Sequence, residues 1–575
     1  MTVHASDPVA SPALAAASKR SRIATLVLAR GGVAEVVCIT VAAFVVRLIQ
    51  LDHVPFVDEF NHILAARSLI TDGSLSINGG APYERAWLFT RLVAVCFRLF
   101  GESLVVARIP AVVAGAALVG AVFLWVRSVA GRRAAWIAGL LICVGPDAIF
   151  LSQLSRFYTL HALLFWLGAV AVYRLLAPAP VRATARSALL IGAAAAFLLA
   201  LHLQVTTAAG VGGVLLWSAL VGGPALLRRL TASRHRVAWF AGIGALTIAL
   251  AVALIESSII ERAWALFRYA DPWAEPYRDN FVLYHYVLLD RYPTLWTLFP
   301  AAFVIAAAAR PRPALFCATI FTFAFTFHSV AAWKAERYLF YAMPMFFAME
   351  GIAIAEAWTW LRGRLRTLRA RTGGFAWRWL DAPEPLLLAG IALFTVGGNG
   401  AFIYAYRMLT VDDQDWQISR VIYRGGADWE AALPWLRPVA EESAAVLSSS
   451  VLKSLYYLGR VDFDLSVTGP GSWVQKEFDV GQKIPAPMIG RAASVGWVMA
   501  CNPTGLIVIE EHHWRNPGVV APPTADFIES HAERIPVPER FGLLAFRWRD
   551  GGHAAPGTCP ERARVGTIGR TANLR

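Results

Sequence analysis

Long apolar runs recur along the first 410 positions, separated by short polar segments in which arginine dominates. A bilayer core takes about 20 apolar residues as helix. By that measure the pattern predicts eleven spans: Val33–Leu51, Val106–Val126, Ala134–Leu151, Phe157–Leu176, Ala188–Gln204, Ala208–Pro224, Ala238–Glu256, Thr294–Ala309, Ala314–Val330, Tyr338–Trp360 and Pro385–Arg407. The stretch Ala86–Phe100 is shorter and carries Arg91 and Arg98, which suits a helix lying in the interface. Arginine placement tests that choice. With Ala86–Phe100 kept out of the count, Arg127/Arg132/Arg133, Arg174/Arg182/Arg186, Arg228/Arg229/Arg234/Arg236, Arg310/Arg312 and the cluster from Arg362 to Arg378 all face the side of Lys19, Arg20 and Arg22. This is the positive-inside pattern, with the N-terminus in and the C-terminus out.

That topology gathers the polar chemistry on one outer face: the loop Asp52–Arg85, the turn Gly145–Arg156, the loops Ser257–Pro293 and His328–Arg337, and everything after Thr410. From about Val411 the composition shifts to Asp, Pro and Gly with short apolar runs. Asp428–Glu442 and Val451–Leu458 read as helices, and Ala444–Leu447, Gly505–Glu511 and Leu543–Trp548 as strands. The expected fold class is an α-helical polytopic membrane protein with a small C-terminal α/β domain. Its parts are a cytoplasmic tail (1–32), a membrane domain (33–410), an extracytoplasmic α/β domain (411–560) and a disordered end (561–575). The first apolar run is too long, and too poor in cleavage-site character, for a removed signal and reads as a retained span.

Composition sharpens this. Of 575 residues 57% are hydrophobic and 16% charged, whereas soluble domains carry roughly a quarter charged residues. The net charge of +14 sits in short loops between apolar segments. It therefore reads as topology control and anionic-lipid contact rather than nucleic-acid binding. Cys38, Cys96, Cys143 and Cys317 fall in apolar segments, while Cys501 and Cys559 fall in the polar C-terminal part and either pair or stay free. No spacing of metal ligands, P-loop or dinucleotide fingerprint is present.

Four clusters on the outer face offer chemistry. Asp58-Glu59, followed by Phe60-Asn61-His62, lies just past the first span. It is a solvated turn or a general base, since a carboxylate against an apolar wall is poised to accept a hydroxyl proton. Tyr83-Glu84-Arg85 ends the same loop as membrane-anchor chemistry or as a binding site. In Ser155-Arg156-Phe157-Tyr158, Arg156 snorkels or binds, and His161 lies deeper, where ionisable groups face cavities. His328 precedes Lys334-Ala335-Glu336-Arg337-Tyr338, with Pro344 in the next helix. Lys334 and Arg337 stand on a face that should be poor in cations, and they suit a phosphate, lysine as a point charge and arginine as a fork.

The acidic pair, Ala107-Arg108-Ile109-Pro110, Ser155-Arg156-Phe157-Tyr158 and Lys334-Ala335-Glu336-Arg337-Tyr338 with Pro344 follow one another in this order. Together they resemble the GT-C membrane glycosyltransferases, in the branch of protein O-mannosyltransferases and lipid A aminoarabinose transferases, over about residues 33–410. The resemblance implies transfer of a sugar from a polyprenyl-phosphate donor to a lipid, glycan or protein acceptor on the outer side of the membrane, usually with inversion; the Ala/Arg-rich composition points to a bacterial inner membrane. It implies Asp58 as catalytic base with Glu59 assisting, Tyr83, Glu84 and Arg85 lining the donor pocket, and Arg337 with Lys334 on the phosphate. Arg156, Tyr158, His161, His328, Glu336 and Tyr338 complete the expected substrate-binding set. His161 stands where relatives often carry an acid, and the part after Thr410 matches no pattern of that family.

The chemistry is coherent without the family. Cations stabilise charge on a departing phosphate, and a single base activates an acceptor hydroxyl attacking an oxocarbenium-like centre. Asp58, Glu84 and His285 leave a divalent ion open, but no ligand spacing signals one and no cofactor is assigned. The rival readings are a polymerase or ligase moving a whole glycan, a transporter with an outer cap, and a receptor using its C-terminal part. Transport predicts ionisable groups at mid-membrane depth and repeated halves. Here the polar groups His202, Gln204 and Glu256 cluster at outer ends and no half repeats.

Overall fold

The apolar runs form helices in the computed structural model. It describes residues 32–77, 80, 82–177, 182–232, isolated positions from 235 to 268, 278–371, 390, 393, 395–411, 426–466, 477–479, 484, 486–555 and 558–565. Almost all of the expected N-terminal tail, most of the expected span Ala238–Glu256, part of Pro385–Arg407 and most of the expected disordered end lie outside the described residues.

Helix α1 covers residues 32–48. It is followed by α2 (Glu59–Thr71), α3 (Trp87–Phe100), α4 (Leu104–Ala130), α5 (Arg132–Cys143), α6 (Pro146–Ser152), α7 (Tyr158–Leu175), α8 (Ala183–Leu203), α9 (Thr207–Ala232), α10 (Leu283–Arg291), α11 (Pro293–Ala309), α12 (Pro311–Val330), a 3-10 turn (Glu336–Ala342) running into α13 (Met343–Arg371), and α14 (Ala401–Thr410). Among the described residues six helices are long and apolar enough to cross a membrane, and eight if each of two bent pairs is one span. Helix α3 buries Phe89, Thr90, Val93, Ala94 and Phe97 and exposes Val95, Leu99 and Phe100. With 14 residues it is too short to span and has the two faces of an interfacial helix.

Both bends have a chemical cause. Between α5 and α6 the chain turns by 57° at Gly145-Pro146, where proline has no N–H to continue the ladder. The carbonyls freed there need partners in an apolar medium. Arg47, fully buried at the end of α1, donates from Nη1 to the Cys143 carbonyl (3.4 Å) and from Nε to Ser152 Oγ (2.9 Å). Gly115 makes room for this contact, since a Cβ there would lie 2.2 Å from Ser152 Oγ. The second bend, 105° between α10 and α11, falls at Tyr292-Pro293. Asn399 Oδ1 accepts from the N–H groups of Thr294 and Leu295 (3.1 and 3.2 Å) and so caps the new helix.

Residues 426 onward build a six-stranded sheet, β1 (Ala445–Ser448), β2 (Phe463–Leu465), β3 (Met488–Ile489), β4 (Gly505–Glu510), β5 (Glu533–Ile535) and β6 (Leu543–Trp548), in the order β3-β2-β1-β4-β6-β5. The first four neighbours pair parallel; β4–β6 and β5–β6 are antiparallel. Every residue of β1 and β4 is buried, as central parallel strands covered on both faces require. The covering helices are α15 (Trp429–Glu442), α16 (Val451–Leu458), α17 (Ala492–Cys501) and α18 (Pro522–His531). Asp428 caps α15 by accepting from the Ala431 N–H (3.0 Å). Cys501 is bonded to Cys559, with Cα atoms 5.9 Å apart.

Candidate active site

Asp58 and Glu59 are neighbours in sequence with opposite surroundings. Glu59 opens α2 and is wholly buried. Its carboxylate receives both Nε and Nη2 of Arg108 (2.9 and 2.8 Å), the Phe56 N–H (2.9 Å) and the Ser155 N–H (2.6 Å). Arg108, equally buried, also donates from Nη1 to the carbonyls of Leu51 (2.6 Å) and His53 (2.9 Å). One ion pair thereby ties the end of the first span, the start of α4 and the turn before α7. This differs from the expectation of an assisting catalytic carboxylate: the group is sealed from solvent and its oxygens are taken.

The Asp58 side chain is 30% exposed. Its Oδ2 lies 3.8 Å from Arg156 Nη2 and 3.6 Å from Arg337 Nη2. Arg156 also donates from Nη1 to the Asp58 carbonyl (3.0 Å), so one guanidinium holds the backbone and faces the carboxylate it serves. Asn61 Nδ2 reaches the same carbonyl (3.1 Å). These contacts join residues 98 and 279 positions downstream of Asp58 to a single point, each carried on a different loop.

A cleft of about 680 Å³, its open mouth included, begins at this point. Asp58, Arg156, Tyr158 and Arg337 line one part of it and Asp147, Arg291 and Glu336 another, while Phe150, Leu151, Leu154, Leu288, Phe340 and Met343 make an apolar wall. Arg291 bridges the carboxylates of Asp147 and Glu336. Charged groups and hydrocarbon lining one cleft suit a phosphate carried on a lipid chain.

Of the expected site residues, Asp58, Arg156, Tyr158, Glu336 and Arg337 meet in this cleft. The others do not line it, although Tyr83, in hydrogen-bonding reach of Arg156, and Tyr338, beside Arg337, stand next to the Asp58 end. Tyr83 packs edge-on against His62 (5.3 Å between centroids); burial, then the nearby Arg156 and Arg85, pushes His62 well below the usual imidazole range. Glu84 is exposed, and Arg85 reaches Gln204 Oε1 (3.4 Å). His161 bonds Thr207 Oγ1 (2.7 Å) and, with His328, packs on Tyr341. Tyr338 lies beneath the Arg337 guanidinium, 5.7 Å from ring centre to Cζ. Lys334, expected on the phosphate, is buried and donates to the Arg278 carbonyl (2.6 Å) with its ammonium over Phe281. A charge so enclosed serves the loop rather than the cleft.

Asp147 and Arg291 were absent from the expected set. The signal existed: Arg291, like Arg337, is a cation on a face that should be poor in them. Asp58, Glu84 and His285 form no ligand group; His285 Nδ1 accepts from Trp296 Nε1 (2.8 Å). Among the described residues one trio, Glu510, His512 and His513, has ligand atoms within 4.8 Å of one another. Its carboxylate is already paired with Lys453 (2.9 Å) and bonded to Trp429 Nε1 (3.0 Å).

No protein-family model matches the chain, and no curated protein matches it in sequence. Solved structures do match. ArnT from Cupriavidus metallidurans bound to undecaprenyl phosphate aligns with a TM-score of 0.56 at 14% identity, over 92% of this chain and 98% of that one. Its apo state gives 0.52 at 16% identity, over 90% and 98%. The Archaeoglobus fulgidus oligosaccharyltransferase in the apo form gives 0.50 at 14% identity, over 83% of this chain and 70% of that one. Over most of its length the chain thus shares the fold of ArnT and of the archaeal oligosaccharyltransferase, both of them GT-C proteins.

Proposed function

We propose that this protein transfers a sugar from a polyprenyl-phosphate donor to an acceptor hydroxyl at the outer face of a bacterial inner membrane, by single displacement with inversion. The carrying observation is the placement of Asp58 Oδ2 between Arg156 and Arg337 at the head of an apolar-walled cleft. The fold is shared with a protein solved with undecaprenyl phosphate bound, which supports a lipid phosphate as the cleft's occupant. In this reading the lipid lies along the Phe150, Leu154 and Phe340 wall, and the phosphate engages Arg337 and Arg156.

The arrangement makes donor binding and base activation one event. Two guanidiniums face the Asp58 carboxylate. A phosphate that takes up part of their charge leaves Oδ2 freer to accept the acceptor's proton. The same cations then stabilise the negative charge growing on the departing phosphate. Glu59 and Arg108 do not react; they hold the turns that carry Asp58 and Arg156 in register. Asp147, Arg291 and Glu336 line the same cleft, where sugar or acceptor hydroxyls find both donors and acceptors.

Lipid analysis of cells lacking the protein tests the function directly. An accumulated polyprenyl-phosphate sugar, consumed by the purified wild-type protein and not by the Asp58→Asn variant, is expected. Accumulation of a polyprenyl-linked oligosaccharide instead identifies the whole-glycan transfer that the fold also supports. An unchanged lipid pool refutes both.

A further inference from the structure

In open α/β sheets ligands bind outside the carboxyl ends of the strands, where the strand order reverses. In the C-terminal domain that point lies between β1 and β4, and it is filled by the protein itself. Lys453 Nζ pairs with Glu510 (2.9 Å), both side chains 4% exposed. The Glu510 N–H donates to Ser449 Oγ (3.0 Å), which also meets His513 Nδ1 (3.0 Å). A domain whose usual ligand crevice is plugged has another use for that end.

The helix leaving it, α16, carries adjacent tyrosines that reach the membrane domain. Phe60, completely buried in the first turn of α2, has its ring centre 5.1 Å from Tyr456 and 5.9 Å from Tyr457. The two tyrosines pack edge to face at 4.9 Å, and Tyr457 stacks on Trp429 at 6.2 Å. Further along α2, the Arg67 guanidinium lies over Tyr456 (5.1 Å) while pairing with Glu102 (2.5 Å). Helix α2 is therefore held on one side by the Glu59–Arg108 pair and on the other by an aromatic clasp from a domain almost 400 positions away in sequence. Asp58 is the residue immediately before this twice-held turn.

We infer that the C-terminal domain is a positioning element for the catalytic base: Tyr456 and Tyr457 grip Phe60 and through it set where Asp58 stands relative to Arg156 and Arg337. The inference rests on the proposed transferase function. Displacement of a reacting group by about 1 Å costs on the order of 100-fold in rate, so a loosened turn shows in turnover more than in donor binding.

The test is the double variant Tyr456→Ala/Tyr457→Ala in the full-length protein, examined by amide hydrogen exchange and by transfer kinetics. Exchange across residues 56–62 is expected to rise about tenfold or more. The kcat is expected to fall roughly 30-fold with the KM for the polyprenyl-phosphate sugar within about twofold. Tyr456→Phe/Tyr457→Phe, which keeps the rings, restores both. Unchanged exchange at 56–62 overturns the clasp; faster exchange with full kcat, or a loss confined to donor KM, overturns the positioning role. Where the alanine variant is not recovered folded, Phe60→Leu loosens the contact from the membrane side and is judged by the same outcomes. A wild-type protein inactive on every polyprenyl-phosphate sugar sinks the transferase function, and the exchange measurement then decides the clasp by itself.

Discussion

Asp58 and Glu59 share a peptide bond and divide the labour of the site. One carboxylate is a third exposed and faces two guanidiniums at 3.6 and 3.8 Å, too far for a closed hydrogen bond. The other is sealed, with a bidentate arginine and two backbone donors at 2.6–2.9 Å. A group that must exchange a proton needs spare lone pairs and access; a group that must hold three segments together needs neither. In the proposed mechanism the accessible carboxylate is the reacting acid and the sealed one fastens the turns that carry it.

Substitution can break this contrast. The largest effect is expected from Asp58→Asn. Transfer falls by about 1,000-fold or more, while undecaprenyl-phosphate binding stays within about twofold and the melting temperature is unchanged; substantial turnover in that variant removes Asp58 from the mechanism. Glu59→Gln should do the reverse. Leaving Arg108 buried without its partner costs about 3–5 kcal/mol, read as a lowered apparent melting temperature, with activity per folded molecule largely kept. Replacing both partners by apolar residues, Glu59→Leu with Arg108→Met, recovers part of that stability. A stable but inactive Glu59→Gln protein would return Glu59 to the chemistry.

Arg337→Ala comes next. Loss of one charge-assisted contact to phosphate is worth about 1.5–3 kcal/mol, so the apparent donor affinity should drop roughly 10- to 100-fold. Equal affinity in variant and wild type argues against the phosphate role.

Asp464 in β2 supplies a third, smaller case: a carboxyl with no cation against it among the described residues. Burial pushes its pKa up to about 7. The folded state therefore holds the proton above the pH at which the unfolded chain releases it. Stability is greatest below the unfolded pKa of 3.8 and declines as pH rises through about 7. Asp464→Asn should flatten that decline, making the variant more stable than wild type at pH 8 by about 1–4 kcal/mol. An identical pH dependence in both proteins contradicts the assignment.

Much of the membrane part was legible because a span must be apolar along its whole length. Arg91 and Arg98 also set α3 apart from the spans, and it is a helix of only 14 residues. Gly145 was legible as the start of an outer turn, but the short helix α6 that follows it, and the buried Arg47 that serves the freed carbonyl of Cys143, were not. Arg291 escaped because its partners Asp147 and Glu336 lie 144 and 45 positions away, and pairing at that range is decided by helix packing. Lys334 looked like Arg337 in sequence. Three positions of loop put one ammonium inside the protein and the other residue's guanidinium in the cleft. In the C-terminal domain five elements were readable from their apolar runs; α17 and α18, of ten residues each, went unread, and β2, β3 and β5, of three, two and three residues, are too short to carry a period.

The contact between Phe60 and Tyr456 has a consequence for biogenesis. The first outer segment leaves the ribosome long before the residues that grip it, so during synthesis α2 waits half-supported at the membrane surface. If the clasp positions the base as proposed, competence arrives only when the C-terminal domain has folded and docked. On that reading a nascent or truncated chain is inserted correctly and still catalytically silent.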